Sequence, residues 1–211
     1  MHLVVVDTKA GNFGSVLNAL NKVGASVEVT QDKTKIEQAK ALVLPGVAAF
    51  KRGMDGLHNA GLVDLIRKQA SVKKVPIIGI CLGMQLLANS GNEGCEGNAS
   101  TEGLGLIEGH VGRLTTTDPT YRVPNIGWYN VIPKKRGVLF PDMDDVRSFY
   151  HVHSYHMSCK NKNDVAAIIS FSGHEITVAV EHENIFGVQF HPEKSQDAGL
   201  DLLERFITSL S

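Results

Sequence analysis

Residues 79–83 read Gly79-Ile80-Cys81-Leu82-Gly83 and close a run of almost wholly apolar residues. A cysteine with glycine at i−2 and i+2, where a buried strand gives way to a helical pattern, has the form of a strand–turn–helix elbow. The small flanking residues permit a tight turn that exposes the central side chain. The helix that begins there aims backbone N–H groups and its positive dipole end at the sulfur. Such a setting favours a thiolate nucleophile and supplies donors for an oxyanion. The competing reading of Cys81 is a buried small hydrophobe. Cys95 and Cys159 have no comparable surroundings, and for them that plainer reading stands.

A thiolate nucleophile needs a group that takes its proton and later gives it to the leaving group. Among nine histidines, His191 directly follows the expected strand 185–190, at its carboxyl end, where open α/β sheets place their sites. Pro192 ends the strand, and Glu193 can curl back to accept the other ring N–H, fixing the tautomer and stabilising the imidazolium. Cys81, His191 and Glu193 thus form a triad by role. His2, His58, His110, His174 and His182 sit among polar residues and read as surface side chains. His151, His153 and His156 cluster near a strand end, with His151 and His153 spaced to share one face. No Cys, Asp or Glu joins them at ligand spacing, so no metal is expected.

The elements that must hold these residues alternate through the first half. Residues 3–6, 26–29, 41–44 and 75–80 read as strands, the first short and apolar on both faces, as in a buried parallel sheet. Between them, Asn12 is placed to cap a helix that buries Phe13, Val16, Leu17, Leu20 and Val23 and ends at Gly24. Further helical patterns cover residues 32–39, 57–70 and 84–88. Residues 90–105, rich in Gly, Asn, Ser and Glu, read as an irregular connection. Short strands follow at 110–114, 126–132, 148–152, 166–171, 177–180 and 185–190, and a helix over 196–210 closes the chain. The expected architecture is a single α/β domain, doubly wound and flavodoxin-like. Its sheet is mostly parallel, with antiparallel additions in the second half.

Composition excludes several other classes. The 211 residues are 43% hydrophobic and 20% charged, as in ordinary globular chains, which rules out disorder, collagen and coiled coil. The formal net charge is −1, and the longest basic run is Lys134-Lys135-Arg136, so no footprint for nucleic acid or an anionic membrane is present. No apolar stretch approaches the ~20 residues of a membrane span. The first residues lack the basic and small-residue features of a signal peptide, and three scattered cysteines make no disulfide framework. A cytoplasmic location is expected.

The segments Gly79-Ile-Cys-Leu-Gly-Met-Gln-Leu-Leu87 and Gly187-Val-Gln-Phe-His-Pro-Glu-Lys-Ser195 resemble the class I (triad) glutamine amidotransferases. Leu44-Pro-Gly-Val47 with Ala49-Phe50, Gly103-Leu-Gly105, Arg122-Val-Pro124, Gly127-Trp128 and Val152-His-Ser-Tyr155 narrow the resemblance to the glutaminase subunit of imidazole glycerol phosphate synthase. It spans essentially the whole chain, 1–211, as one amidotransferase domain. It implies that Cys81 attacks the carboxamide of glutamine, forming a glutamyl thioester and releasing ammonia, with His191 shuttling the proton and Glu193 holding it. It also implies an oxyanion site from the backbone of Leu82 and from the Val47–Ala48 loop. By the same likeness, Gly46, Gln85, Glu93, Ser154 and Tyr155 hold the substrate. No cofactor is implied. The implied partner is a (β/α)8-barrel cyclase subunit that consumes the ammonia in histidine biosynthesis, met through Asn12, Trp128, Tyr150 and Lys194.

Departures from the family pattern are Thr8-Lys9, Ala48, Asn125 and Tyr129. Ala48 bears most on function, because its Cβ restricts any left-handed conformation of the oxyanion loop. These departures leave open a paralogue that supplies ammonia for surface-polysaccharide amino-sugar synthesis. An idle interaction module of the same fold and a cysteine peptidase are further alternatives. The intact triad argues against the first of these, and the glutamine-pocket motifs argue against the second.

Overall fold

The structure, a computed structural model, describes residues 2–9, 11 and 13–210. The first half runs β1 (His2–Val6), α1 (Gly14–Lys22), β2 (Ser26–Thr30), α2 (Lys33–Glu37), β3 (Leu42–Gly46), α3 (Phe50–Asn59), α4 (Val63–Arg67), β4 (Ile77–Cys81) and α5 (Leu82–Leu86). The second half runs β5 (Ala88–Gly91), β6 (Thr101–Glu102), β7 (Ile107–Arg113), β8 (Asn125–Pro133), β9 (Arg147–His153), β10 (Tyr155–Cys159), β11 (Val165–Phe171), β12 (His174–His182), β13 (Ile185–Val188) and α6 (Gln196–Thr208).

Nine strands form the main sheet in the order β2-β1-β3-β4-β13-β12-β11-β8-β9. The pairings from β2 through β13 are parallel and those from β13 through β9 antiparallel. The parallel half has the flavodoxin-like order, and the sheet as a whole is mixed. Strand alternation divides the core. Leu3 and Val5 pack with Val16 and Leu20 of α1 and Leu202 and Phe206 of α6. Val4 and Val6 face the other way, onto Met54 and Leu57 of α3 and Leu86 of α5. Helices therefore cover both faces, which is why β1 is apolar at every inner position.

Three regions differ from the sequence expectation, one of them the unexpected strand β10 (Tyr155–Cys159), which pairs with β7. The helical pattern at 57–70 is two helices, because the chain turns at Gly61. There the N–H of Gly61 bonds the His58 carbonyl and that of Leu62 bonds the Leu57 carbonyl, closing α3 with a buried Leu57–Leu62 contact. The helix expected at 84–88 begins earlier and yields at Ala88 to a second sheet, ordered β10-β7-β5-β6. Part of the supposed loop 90–105 is thus paired, with Gly91 opposite Thr101. The expected cap Asn12 lies outside the described residues; α1 starts at Gly14, directly after Phe13.

Candidate active site

β4 delivers Cys81 to the carboxyl edge of the parallel sheet, next to Gly46 at the end of β3. Cys81 has φ 54° and ψ −110°, a conformation that ordinary side chains avoid and that costs of order 1–3 kcal/mol. The flanking glycines are packing requirements of this elbow. A Cβ on Gly83 would lie 1.5 Å from the Leu44 carbonyl oxygen, and one on Gly79 would lie 2.5 Å from the Gly83–Met84 peptide. The strain at Cys81 is held by close backbone contact on both sides, and α5 begins directly after it at Leu82.

His191 lies just beyond β13, one strand over from Cys81. Its backbone N–H donates to the Tyr150 carbonyl (2.9 Å) and its carbonyl accepts from Ser195 Oγ (2.6 Å). Ser195 Oγ in turn accepts from the Tyr150 N–H (3.0 Å). A single 3-10 turn over Pro192–Lys194 brings Glu193 Oε1 to 2.7 Å from His191 Nδ1, which donates to it. Burial pulls the pKa of His191 down, but the Cys81 sulfur and the Glu193 carboxylate outweigh it and push it up to about 9. The other ring nitrogen, Nε2, is buried and makes no hydrogen bond of ordinary geometry. Catalytic pairs of this kind commonly tighten only around substrate.

A cavity of about 310 Å³ opens on this pair. Its wall includes Val47, Ala48, Leu82, Gln85, Glu93, Ser154 and Tyr155, so all the sequence-expected oxyanion and substrate residues except Gly46 converge here. Gly46 lies behind them, against a small void shared with His191 and Glu193. Ala48 is not among the residues with positive φ, so its Cβ imposes no strain on the loop as it stands. Burial raises the Glu93 pKa, opposed by a hydrogen bond from the Phe50 N–H at 3.3 Å.

The sequence reading missed several residues at the site. His153, Pro124 and Val152 also line the cavity. His153 Nδ1 donates to the Tyr155 carbonyl (2.9 Å), and its Nε2 meets both Asn125 Nδ2 and His151 Nδ1 at 3.3 Å. His151 and His153 do share the inward face of β9 and are held neutral: burial pushes His153 down to about 4 and His151 well below its usual value. Gln189, fully buried, reaches the sulfur of Cys81. Pro124, Val152 and Gln189 lay within motif segments that carried the resemblance but were given no role, and the link of His153 to Tyr155 depends on the turn between β9 and β10. Cys159 is buried, and its thiol is pushed up to about 11, in line with an inert cysteine.

Three of the four expected interface residues are described. Trp128 and Tyr150 sit opposite each other on β8 and β9, their rings edge to face at 6.0 Å, and Trp128 is 48% exposed. Lys194 is exposed on the turn that follows His191. Asn12 lies outside the described residues.

Residues 4–210 match the model of the family described as glutamine amidotransferase class-I. Curated relatives include the imidazole glycerol phosphate synthase subunit HisH 2 of Pseudomonas aeruginosa, 40% identical over 97% of this chain and 98% of that protein. The subunit HisH of Sulfurimonas denitrificans is 42% identical over 97% and 96%, respectively. Among solved structures, a glutamine amidotransferase superposes with TM-score 0.72 at 21% identity, covering 96% of this chain and 98% of that one. PurLQS from Thermotoga maritima does so with TM-score 0.73 at 19%, covering 100% and 99%. At those identities the solved structures establish the fold alone.

Proposed function

This chain belongs to the class-I glutamine amidotransferases, and we propose that within them it is the glutaminase subunit of imidazole glycerol phosphate synthase, acting as one unit over residues 1–211. The observation that carries the chemistry is His191, held by Glu193 on one side and raised by Cys81 on the other, at the floor of a cavity walled by Gln85, Glu93 and Tyr155.

In the reaction, the Cys81 sulfur attacks the side-chain carbonyl of glutamine. The N–H of Leu82 and one from the Val47–Ala48 segment receive the oxyanion; losing one such donor costs ~10²–10³ in rate. His191 holds the thiol's proton, Glu193 stabilises it there, and His191 passes it to the departing nitrogen, so the C–N bond breaks and ammonia leaves. Water then attacks the thioester with His191 as base, and glutamate departs. Glutamine plus water gives glutamate plus ammonia, with no cofactor in the balance. Gly46 shapes the loop behind the nucleophile, while Gln85, Glu93, Ser154 and Tyr155 hold the amino-acid end of the substrate.

The ammonia is consumed by a (β/α)8-barrel cyclase subunit, to which Trp128, Tyr150 and Lys194 present one rim beside the cavity mouth; Asn12 is assigned to the same contact by the family likeness alone. Support for this partner is the likeness to HisH subunits over nearly the full chain. We place the protein in the cytoplasm: its three cysteines are unpaired, and no helix among the described residues is long and apolar enough to cross a membrane.

The test mixes this chain with the histidine-pathway barrel subunit of the same organism. Cys81→Ala should abolish product formation from glutamine and leave formation from ammonium salts largely intact. If both fall together with the fold intact, the division of labour is wrong. If the wild-type chain does not bind that barrel at micromolar concentration, the histidine assignment fails and the amino-sugar paralogue takes its place.

A further inference from the structure

A buried chain of amides runs from the substrate wall to the nucleophile, and none of the steps above uses it. Gln189 Nε2 lies 3.7 Å from Cys81 Sγ, within reach of an N–H···S bond. Gln189 Oε1 is 3.0 Å from Gln85 Nε2, and that nitrogen is also 3.1 Å from the Tyr155 carbonyl oxygen. Both glutamines are buried, and the backbone N–H of Gln189 is anchored on the Val178 carbonyl at 2.8 Å.

One end of this chain dictates the rest. A backbone carbonyl only accepts, so Gln85 must turn its NH₂ toward Tyr155. The second hydrogen of that NH₂ needs an acceptor, which makes the facing atom of Gln189 its oxygen. The NH₂ of Gln189 is thereby left for the sulfur. His153 Nδ1 donates to the same Tyr155 carbonyl and holds it in place (2.9 Å).

We propose that Gln189 is a positioning residue for the nucleophile: its amide N–H, oriented through Gln85 and Tyr155, occupies one lone pair of the Cys81 sulfur and stabilises negative charge there. The thiol proton is then left to His191, two positions along the same segment. Because Gln85 lies on the cavity wall, the sulfur's donor is tied to the side chain that meets the substrate. The inference rests on the reading of Cys81 as the glutaminase nucleophile.

The test measures alkylation of Cys81 in the full chain by iodoacetamide, and glutamine turnover in the presence of the barrel subunit. Two near-isosteric variants separate the terms. Gln189→Met removes the amide, and alkylation near neutral pH and kcat should both fall about tenfold, what one hydrogen bond to a charged atom is worth, with a smaller change in KM. Gln189→Glu keeps the acceptor for Gln85 but turns a carboxylate toward the sulfur, so near neutral pH it should lose more than Gln189→Met. As pH falls toward about 5 the glutamic acid regains a proton to donate, and its deficit relative to wild type should shrink. A purely structural role predicts deficits that are flat with pH. Flat and equal deficits, or rates within twofold of wild type in both folded variants, overturn the proposal. Wild-type alkylation at Cys81 that saturating glutamine fails to slow overturns the glutaminase reading and the proposal with it.

Discussion

Glu193 engages His191 through one carboxylate oxygen, and its other oxygen, Oε2, is buried without a partner in the described structure. The carboxylate therefore acts mainly as a charge facing a ring N–H, which decides what its replacement should do. Glu193→Gln preserves shape and can still accept from Nδ1, but it removes the charge that holds a proton on His191. We expect kcat for glutamine hydrolysis to fall about 10–100-fold, the range for losing a charge-assisted hydrogen bond, with KM little changed. Steady-state kinetics of the complex check this, and a KM effect larger than the kcat effect would place Glu193 in substrate binding instead. The grouping of Cys81, His191 and Glu193 was legible in the sequence because its evidence is local: glycines around Cys81, a strand end before His191, a carboxylate two residues on. Gln189 and Ser195 were not, although they flank His191. The importance of Gln189 lies in contacts with Cys81 and Gln85, and that of Ser195 in a bond to Tyr150, all more than forty positions away in the chain.

At the scale of elements, β8 and β9 do two jobs with their two faces. Inward-facing His153 lines the cavity with Asn125 and His151 behind it, while the outward positions carry Ile126 (59% exposed), Trp128 and, across the pair, Tyr150 and Val152. Val152 is also part of the cavity, so the outer face runs continuously into the mouth of the site. A half-exposed tryptophan stacked edge to face on a tyrosine is the kind of anchor that dominates an interface. Trp128→Ala should weaken association with the barrel subunit by ~2 kcal/mol or more, roughly 30-fold in Kd, while circular dichroism of the free chain stays unchanged. Calorimetric titration decides it, and unaltered affinity would move the docking surface elsewhere. Period-2 alternation made β8 and β9 readable in advance. The small sheet built on β5 and β6 carried no such signal, since its four- and two-residue strands lie in Gly- and Asn-rich sequence and exist only through pairing with β7 and each other. Likewise, the helical periodicity at 57–70 continued across Gly61 and hid the turn that splits it.

Of the four histidines with shifted pKa values, His153 and His191 line the cavity and His151 touches His153, and this couples the site to global stability through proton binding. Unfolded, each histidine titrates near 6.5. His153 is depressed to about 4 and His151 lies well below its usual value, both mainly by burial, and His156 is lowered for the same reason. Between about pH 6.5 and 4 the unfolded chain therefore binds protons that the folded chain refuses, and stability falls as pH falls, by roughly 3 kcal/mol for His153 alone. His191 has the opposite sign. Raised to about 9, it holds a proton that the unfolded chain has already lost, so its contribution is complete below 6.5 and disappears as pH climbs through 9. Thermal unfolding followed across pH should thus give a maximum Tm near 6.5, with a steep acid limb belonging to the β9–β10 histidines and a shallower alkaline limb belonging to the triad. The limbs can be separated by substitution. His151 packs edge to face against Tyr129 and Phe190 at 5.6 Å each, and its Nε2 is buried without a partner. His151→Phe keeps those ring contacts and removes the buried titrating group, so the acid limb should become shallower while the alkaline limb is unmoved. Glu193→Gln should do the reverse, lessening the loss above pH 6.5 because His191 keeps only the part of its raised proton affinity that Cys81 supplies. An acid limb unchanged in His151→Phe would show that carboxylates such as Asp145, held low by hydrogen bonds from Arg147 and Arg205, govern unfolding at low pH instead.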